Sequence, residues 1–70
     1  MSTQKLHVRG LSREDEGRVE SALRSVSGVL YAAANHVDEC AEVEFEDDMV
    51  TIAELRERLR ELGFESRAAG

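Results

Sequence analysis

Apolar and polar positions alternate at the start of the chain. From Lys5 to Arg9, Leu6 and Val8 fall on one face and Lys5, His7 and Arg9 on the other, the pattern of a half-buried strand that Gly10 ends. Met1-Ser2-Thr3 ahead of it is expected to be a loose start. From Arg13 to about Ser25 the period changes. Val19, Ala22, Leu23 and Val26 recur at helical spacing, and Ser27-Gly28 stops the helix. Ser12 followed by Asp15 is a near-match to a capping box, and Glu14, Asp15 and Glu16 put negative charge in the first turn, where the macrodipole favours it. Gly17 in the second turn costs about 0.5–1 kcal/mol relative to alanine, which predicts either a close contact there or a loosely held first turn.

Val29 to Val37 reads as a strand rich in alanine (Ala32, Ala33, Ala34), a weak strand former whose pairing must come from context. Asp38-Glu39 is the expected hairpin turn. Cys40 to Glu46 then alternates cleanly, with Ala41, Val43 and Phe45 inward and Cys40, Glu42, Glu44 and Glu46 outward. After the connector Asp47 to Val50, Thr51 and Glu54 form a full capping box. Ile52, Leu55, Leu59 and Leu62 make the apolar stripe of a surface helix that Gly63 closes. Phe64 is expected to begin a short last strand, and Arg67 to Gly70 to fray. The expectation is one domain over residues 1–70 with an ordered core of about 4–66.

Strand–helix–strand–strand–helix–strand predicts an α+β, ferredoxin-like βαββαβ sandwich: a four-stranded antiparallel sheet with both helices on one face. Each crossover is expected to join parallel, right-handed neighbours, and the hairpin to supply the antiparallel pair. The first strand should lie in the middle of the sheet beside the third. The Gly10–Glu16 loop, the Val37–Glu39 hairpin and the Gly63-Phe64 turn should gather at one end.

Composition narrows the function. The chain carries 15 acidic residues against 9 basic ones, a formal charge of −6, and its arginines are interleaved with glutamates. A nucleic-acid binder needs a basic patch, so DNA and RNA are not expected partners. No apolar run approaches the ~20 residues that span a bilayer, no apolar leader segment is present, and the lone Cys40 cannot form an internal disulfide. These features point to a cytoplasmic protein without direct membrane insertion.

Several stretches resemble the heavy-metal-associated domain family, the small copper and zinc chaperones and the N-terminal modules of metal-pumping P-type ATPases. They are Leu6-His7-Val8-Arg9-Gly10-Leu11, Val19-Glu20-Ser21-Ala22-Leu23, Val26-Ser27-Gly28-Val29 and Asn35, then Ala41-Glu42-Val43-Glu44-Phe45, Val50-Thr51-Ile52-Ala53-Glu54-Leu55 and Leu62-Gly63-Phe64. The resemblance implies the same fold and a metal loop of the form Gly-Met-x-Cys-x-x-Cys, two thiolates for Cu(I) or Zn(II). Here the loop has no cysteine and is one residue shorter between Gly10 and Val19. Counted from the strand, the thiol positions fall on Arg13 and Glu16; counted back from Val19, on Ser12 and Asp15. Neither count supplies a soft ligand pair. Phe64 matches the aromatic that packs near the loop, and the resemblance places partner docking at Leu11 and Phe64.

Other groups compete for chemistry. Glu14, Asp15 and Glu16 could collect a hard cation, although consecutive helical residues diverge and a solvated acidic helix start explains them as well. A His7–Cys40 pair, with Glu42 or His36 nearby, is the best zinc constellation the sequence offers. Against it stand the acidic surroundings, which disfavour the Cys40 thiolate, and a reading of His36 as a partly buried, hydrogen-bonded residue. No nucleophile–base pair and no phosphate-binding glycine loop can be placed, so an enzyme is not expected. The open sheet face (His7, Tyr31, Ala33, Asn35) and the edge of the second strand could meet a partner or pair in a weak homodimer. The sequence thus supports a module of transition-metal transport or detoxification with weak or lost Zn or Cu binding, docking on a metal transporter or its domains. The alternative is a non-metal protein-interaction or regulatory domain on the same scaffold.

Overall fold

The structure, a computed structural model, describes residues 1–69. Strand β1 runs Ser2–Val8, a single 3-10 turn covers Arg13–Asp15, helix α1 spans Glu16–Arg24, β2 Val29–Asn35, β3 Cys40–Phe45, α2 Ile52–Glu61 and β4 Ser66–Ala69. The four strands lie in the order β2-β3-β1-β4, every neighbouring pair antiparallel. This is the ferredoxin-like βαββαβ fold the alternation predicts. One topological detail differs from expectation. The strands joined by a crossover are parallel but not adjacent, because β3 separates β1 from β2 and β1 separates β3 from β4.

Inward-facing residues follow the period-2 and helical patterns. Leu6, Val8, Val19, Leu23, Ala41, Val43, Phe45, Leu55 and Leu59 form one cluster with Leu11, Ala32 and Val50. Each fully buried leucine or valine contributes about 1.5–3 kcal/mol, which is how so short a chain sustains a fold. The capping box is made as expected: Thr51 Oγ1 accepts the Glu54 N–H at 3.2 Å and Glu54 Oε1 accepts the Thr51 N–H at 3.3 Å.

Both ends of the chain are more ordered than the sequence suggests. Ser2 pairs with Phe45, so the expected loose start is the first part of β1. At the other end the helix closure uses more chain than expected. The Gly63 N–H bonds the Arg60 carbonyl at 2.9 Å and the Phe64 N–H bonds that of Leu59 at 3.0 Å, a Schellman arrangement. Phe64 is therefore part of the turn, and β4 begins at Ser66 and pairs with β1 through Ala69. Gly70 lies outside the described residues.

The alanine-rich edge strand owes its order to α1. Arg24 Nη2 donates to the Ala32 carbonyl at 2.8 Å, Glu20 Oε2 accepts the Ala34 N–H at 2.8 Å, and Glu16 Oε2 accepts the His36 N–H at 2.7 Å. Glu16, Glu20 and Arg24 recur at i, i+4 and i+8, one stripe of the helix. Each holds one backbone group on the side turned away from β3, two along β2 and one just beyond it. The expected exposed edge for strand addition is thus partly covered, a recognised way of blunting an edge.

Candidate functional site

The loop between β1 and α1, the β2–β3 hairpin and the α2–β4 turn meet at one end of the sheet. Gly10, at φ +74°, turns the chain out of β1; its N–H is held by Glu39 Oε2 at 2.8 Å, and the Val8 N–H by the Glu39 carbonyl at 2.7 Å. Glu39 itself takes a positive φ of 51°, uncommon for a residue with a side chain. Its backbone and carboxylate together lock the hairpin onto the loop. The Arg9 N–H bonds the Glu65 carbonyl at 2.9 Å, which joins the third segment.

Within the loop the polar side chains pair with one another. Ser12 Oγ donates to Asp15 Oδ2 at 2.8 Å, and Arg18 Nη1 lies 3.4 Å from Asp15 Oδ1. Arg18 Nη2 continues to the Leu62 carbonyl at 3.2 Å, with the guanidinium 6.0 Å from the centre of the Phe64 ring. The expected Ser12 cap is not made: the Asp15 N–H bonds the Ser12 carbonyl at 3.0 Å, and the hydroxyl accepts no backbone N–H. The helix begins as a 3-10 turn, and nothing lies within 4 Å of where a Gly17 Cβ would sit. Of the two readings of Gly17, the close contact is excluded.

Glu16 points elsewhere. Its Oε2 accepts both the His36 N–H and the His36 ring Nδ1, each at 2.7 Å. The His36 backbone N–H, then its ring, hold the Glu16 carboxyl below its ordinary range, with Arg13 adding to the effect. Glu14, Asp15 and Glu16 are therefore not assembled around a common point: Asp15 is tied to Ser12 and Arg18, and Glu16 to His36. His36 has the partly buried, hydrogen-bonded environment read as its default.

His7 and Cys40 are cross-strand partners, as topology suggested. The register does not complete a zinc site around them. The Cys40 thiol donates to the Asp38 carbonyl at 3.1 Å, Glu42 stands opposite Lys5, and Arg67 flanks His7 on its other side. Arg67 therefore takes the row position next to His7 where a further ligand would be needed, and a guanidinium has no acceptor lone pair to offer a metal. Among the described residues no group of three or more His, Cys, Asp or Glu side chains could hold a metal ion. The donors present do not fit a tight Cu(I) or Zn(II) centre.

The docking candidates separate as well. Leu11 is only 4% exposed and belongs to the core, so its side chain is not available to a partner. Phe64 is half-buried beside Arg18. The open sheet face is charged, as the alternation of the first and third strands predicts. Its register rows are Asn35–Cys40–His7–Arg67 and Ala33–Glu42–Lys5–Ala69, followed by Tyr31–Glu44–Thr3. Arg18 and Glu39, which bind the three segments together, were not singled out from sequence. Only the spacing of Arg18 from Asp15 offered a hint.

With this geometry the chain can be set beside solved structures. It matches a copper-binding domain from HMA7, a P-type ATPase, with a TM-score of 0.94 and 27% identity over 100% of this chain and 96% of that one. The CopZ metallochaperone matches with a TM-score of 0.89 and 27% identity over 94% of this chain and 100% of that one. The apo-form copper chaperone of Enterococcus hirae matches with a TM-score of 0.86 and 28% identity over 94% and 98% of the two chains.

The fold is that of heavy-metal-associated domains. No protein-family model matches the sequence, and no curated protein matches it. The matched structures are metallochaperones and metal-binding domains of ATPases. No helix among the described residues is long and apolar enough to cross a membrane.

Proposed function

We propose that the chain is a docking module on the metal-chaperone scaffold. It acts in the cytoplasm on a metal transporter or one of its domains, and holds Zn or Cu weakly if at all. The observation that carries this reading is the internal pairing of the loop. Ser12, Asp15 and Arg18 form one chain of contacts reaching Leu62, and Glu16 and His36 form another. A loop closed in this way is shaped without a metal cross-link, and the three segments it joins present a fixed surface with Phe64 at its margin. The likeness to a metallochaperone and to an ATPase domain supports a transporter as the partner class.

The experiment is a titration of the full chain with Zn(II) and with Cu(I), followed by amide NMR, and then with the metal-binding domain of a P-type ATPase. Small, fast-exchange shifts at Glu14, Asp15, His7 or Cys40 with either metal, together with shifts around Phe64 on adding the ATPase domain, support the proposal. A tight stoichiometric Cu(I) complex overturns it. The position of Arg67 beside His7 favours a second reading, a regulatory or interaction domain with no metal role. That reading predicts silence at every residue with millimolar metal and no response to the ATPase domain.

A further inference from the structure

The two edges of the sheet are treated differently. Along β2 the α1 stripe takes the Ala32 carbonyl and the Ala34 N–H, and just beyond the strand the His36 N–H. On β4 the pairing leaves more exposed. The Arg9 N–H to Glu65 carbonyl bond, with the register of β1 on β4, makes Arg67 and Ala69 the residues that hydrogen-bond toward β1. Ser66 and Ala68 therefore direct their N–H and C=O groups outward. Only the Ser66 carbonyl has a partner among the described residues, Arg56 Nε at 2.9 Å. The Ser66 N–H and both backbone groups of Ala68 remain available.

Beside this edge runs a groove of about 460 Å³ between α2 and β4. Ala53, Arg56 and Arg60 line its helix side, with Phe64 and Ser66 among the residues on the other. Ala53 is small enough to leave room for an incoming chain. The Ser66 hydroxyl is buried with no hydrogen-bond partner among the described residues, an unsatisfied group of the kind a ligand completes. Charge points the same way. Arg9, Arg18, Arg24 and Arg58 each have a carboxylate partner, whereas Arg56 and Arg60, like Arg13 and Arg67 outside the groove, have none among the described residues, and only Arg56 and Arg60 stand together on one helix stripe. Glu57 and Glu65 also line the groove, but Glu65 is drawn to Arg9 at 3.5 Å.

We propose that the β4 edge and the Arg56–Arg60 stripe of α2 form a docking site for an extended segment of a protein partner that carries carboxylates at alternate positions. The segment adds to β4 as a fifth strand. Its backbone pairs with Ser66 and Ala68, and side chains on one of its faces enter the groove, where Arg56 and Arg60 bind carboxylates. The site needs no metal and lies outside the Gly10–Glu16 loop, so it stands independently of the metal reading above.

The test adds a capped peptide of alternating glutamate and valine to the metal-free full chain, followed by amide NMR and hydrogen exchange. A peptide with lysine in place of glutamate is the control. Binding should shift and protect the Ser66 and Ala68 amides, and the lysine peptide should leave them unchanged. R56Q/R60Q should weaken binding by about tenfold, through loss of charge-assisted contacts. A68P removes an N–H that β1 does not use, on an edge where proline is tolerated, and should abolish binding while the β1–β4 amides stay protected. The proposal fails if A68P binds normally, if the lysine peptide binds equally well, if the shifts fall on β2 or the Gly10–Glu16 loop instead, or if millimolar glutamate peptide leaves Ser66 and Ala68 unmoved.

Discussion

One carboxylate oxygen of Glu16 holds both the backbone N–H and the ring Nδ1 of His36, each at 2.7 Å, and so ties the start of α1 to the β2–β3 hairpin. His36 keeps the Glu16 carboxyl below its ordinary value of 4.5. A carboxyl depressed in the folded state adds stability above its unfolded pKa, and that stability is lost as pH falls through the lowered value. Unfolding midpoints should therefore drop on acidification below about pH 4.5, and E16Q should flatten that acid limb. Asp47, lowered by the Ser2 hydroxyl and the N-terminal amine, keeps part of the slope in the variant. An unchanged pH profile in E16Q would show that the contact carries no stability.

Gly17 is a helical residue with open space around the position of a Cβ and no positive φ. G17A should stabilise the protein by about 0.5–1 kcal/mol, read as a higher urea midpoint at unchanged slope. A loss of stability would mean that the first turn needs glycine for a reason outside its packing.

Gly28 stands in the opposite situation. Its φ is +99°, and a Cβ there would sit 2.8 Å from the Met49 Cβ. G28A should cost about 1–3 kcal/mol in chemical denaturation, since both the backbone and the β3–α2 connector must move. M49A leaves the Met49 Cβ in place and should rescue little of that loss.

The loop geometry chooses between the two alignments of the missing thiols. Ser12 and Asp15 already converge, with side chains in contact at 2.8 Å, whereas Glu16 is committed to His36. S12C/D15C should therefore acquire stoichiometric Cu(I) binding in a competition titration with a chromophoric chelator. R13C/E16C should bind far more weakly and lose stability with the His36 contact. The reverse ranking would show that the loop reorganises around the metal.

Removing the helix cover from β2 should reopen that edge. E20A/R24A frees the Ala34 N–H and the Ala32 carbonyl beside Leu30 and Tyr31, which are 52% and 50% exposed. Sedimentation should then report more self-association than the parent chain shows, because an unpaired apolar edge is a template for pairing. A variant that stays in the parent's state would assign the protection to something other than these side chains.

Local periodicity made the fold legible. Ala41, Val43 and Phe45 alternate on a clean period of two, and Thr51 with Glu54 states its helix start in four residues. The misplacements have local causes too. The Asp15 N–H takes the Ser12 carbonyl rather than its hydroxyl, and the Gly63 closure absorbs Phe64 before β4 can begin. The candidate site was less legible because its contacts are distant in sequence: Glu16 with His36, Glu39 with Gly10, Arg18 with Leu62. His7 and Cys40 were rightly placed together. That Arg67 would be the next residue on that row depended on the register of a strand expected to fray.

A sheet whose one flank is partly covered by its own side chains is a poor unit for growth through its flanks. Open-ended growth needs two adhesive sides per molecule, and the side-chain rungs from α1 blunt one of them. Two copies that joined through β4 would each use up the other's better point of attachment. Assembly would then favour a closed pair over a fibril.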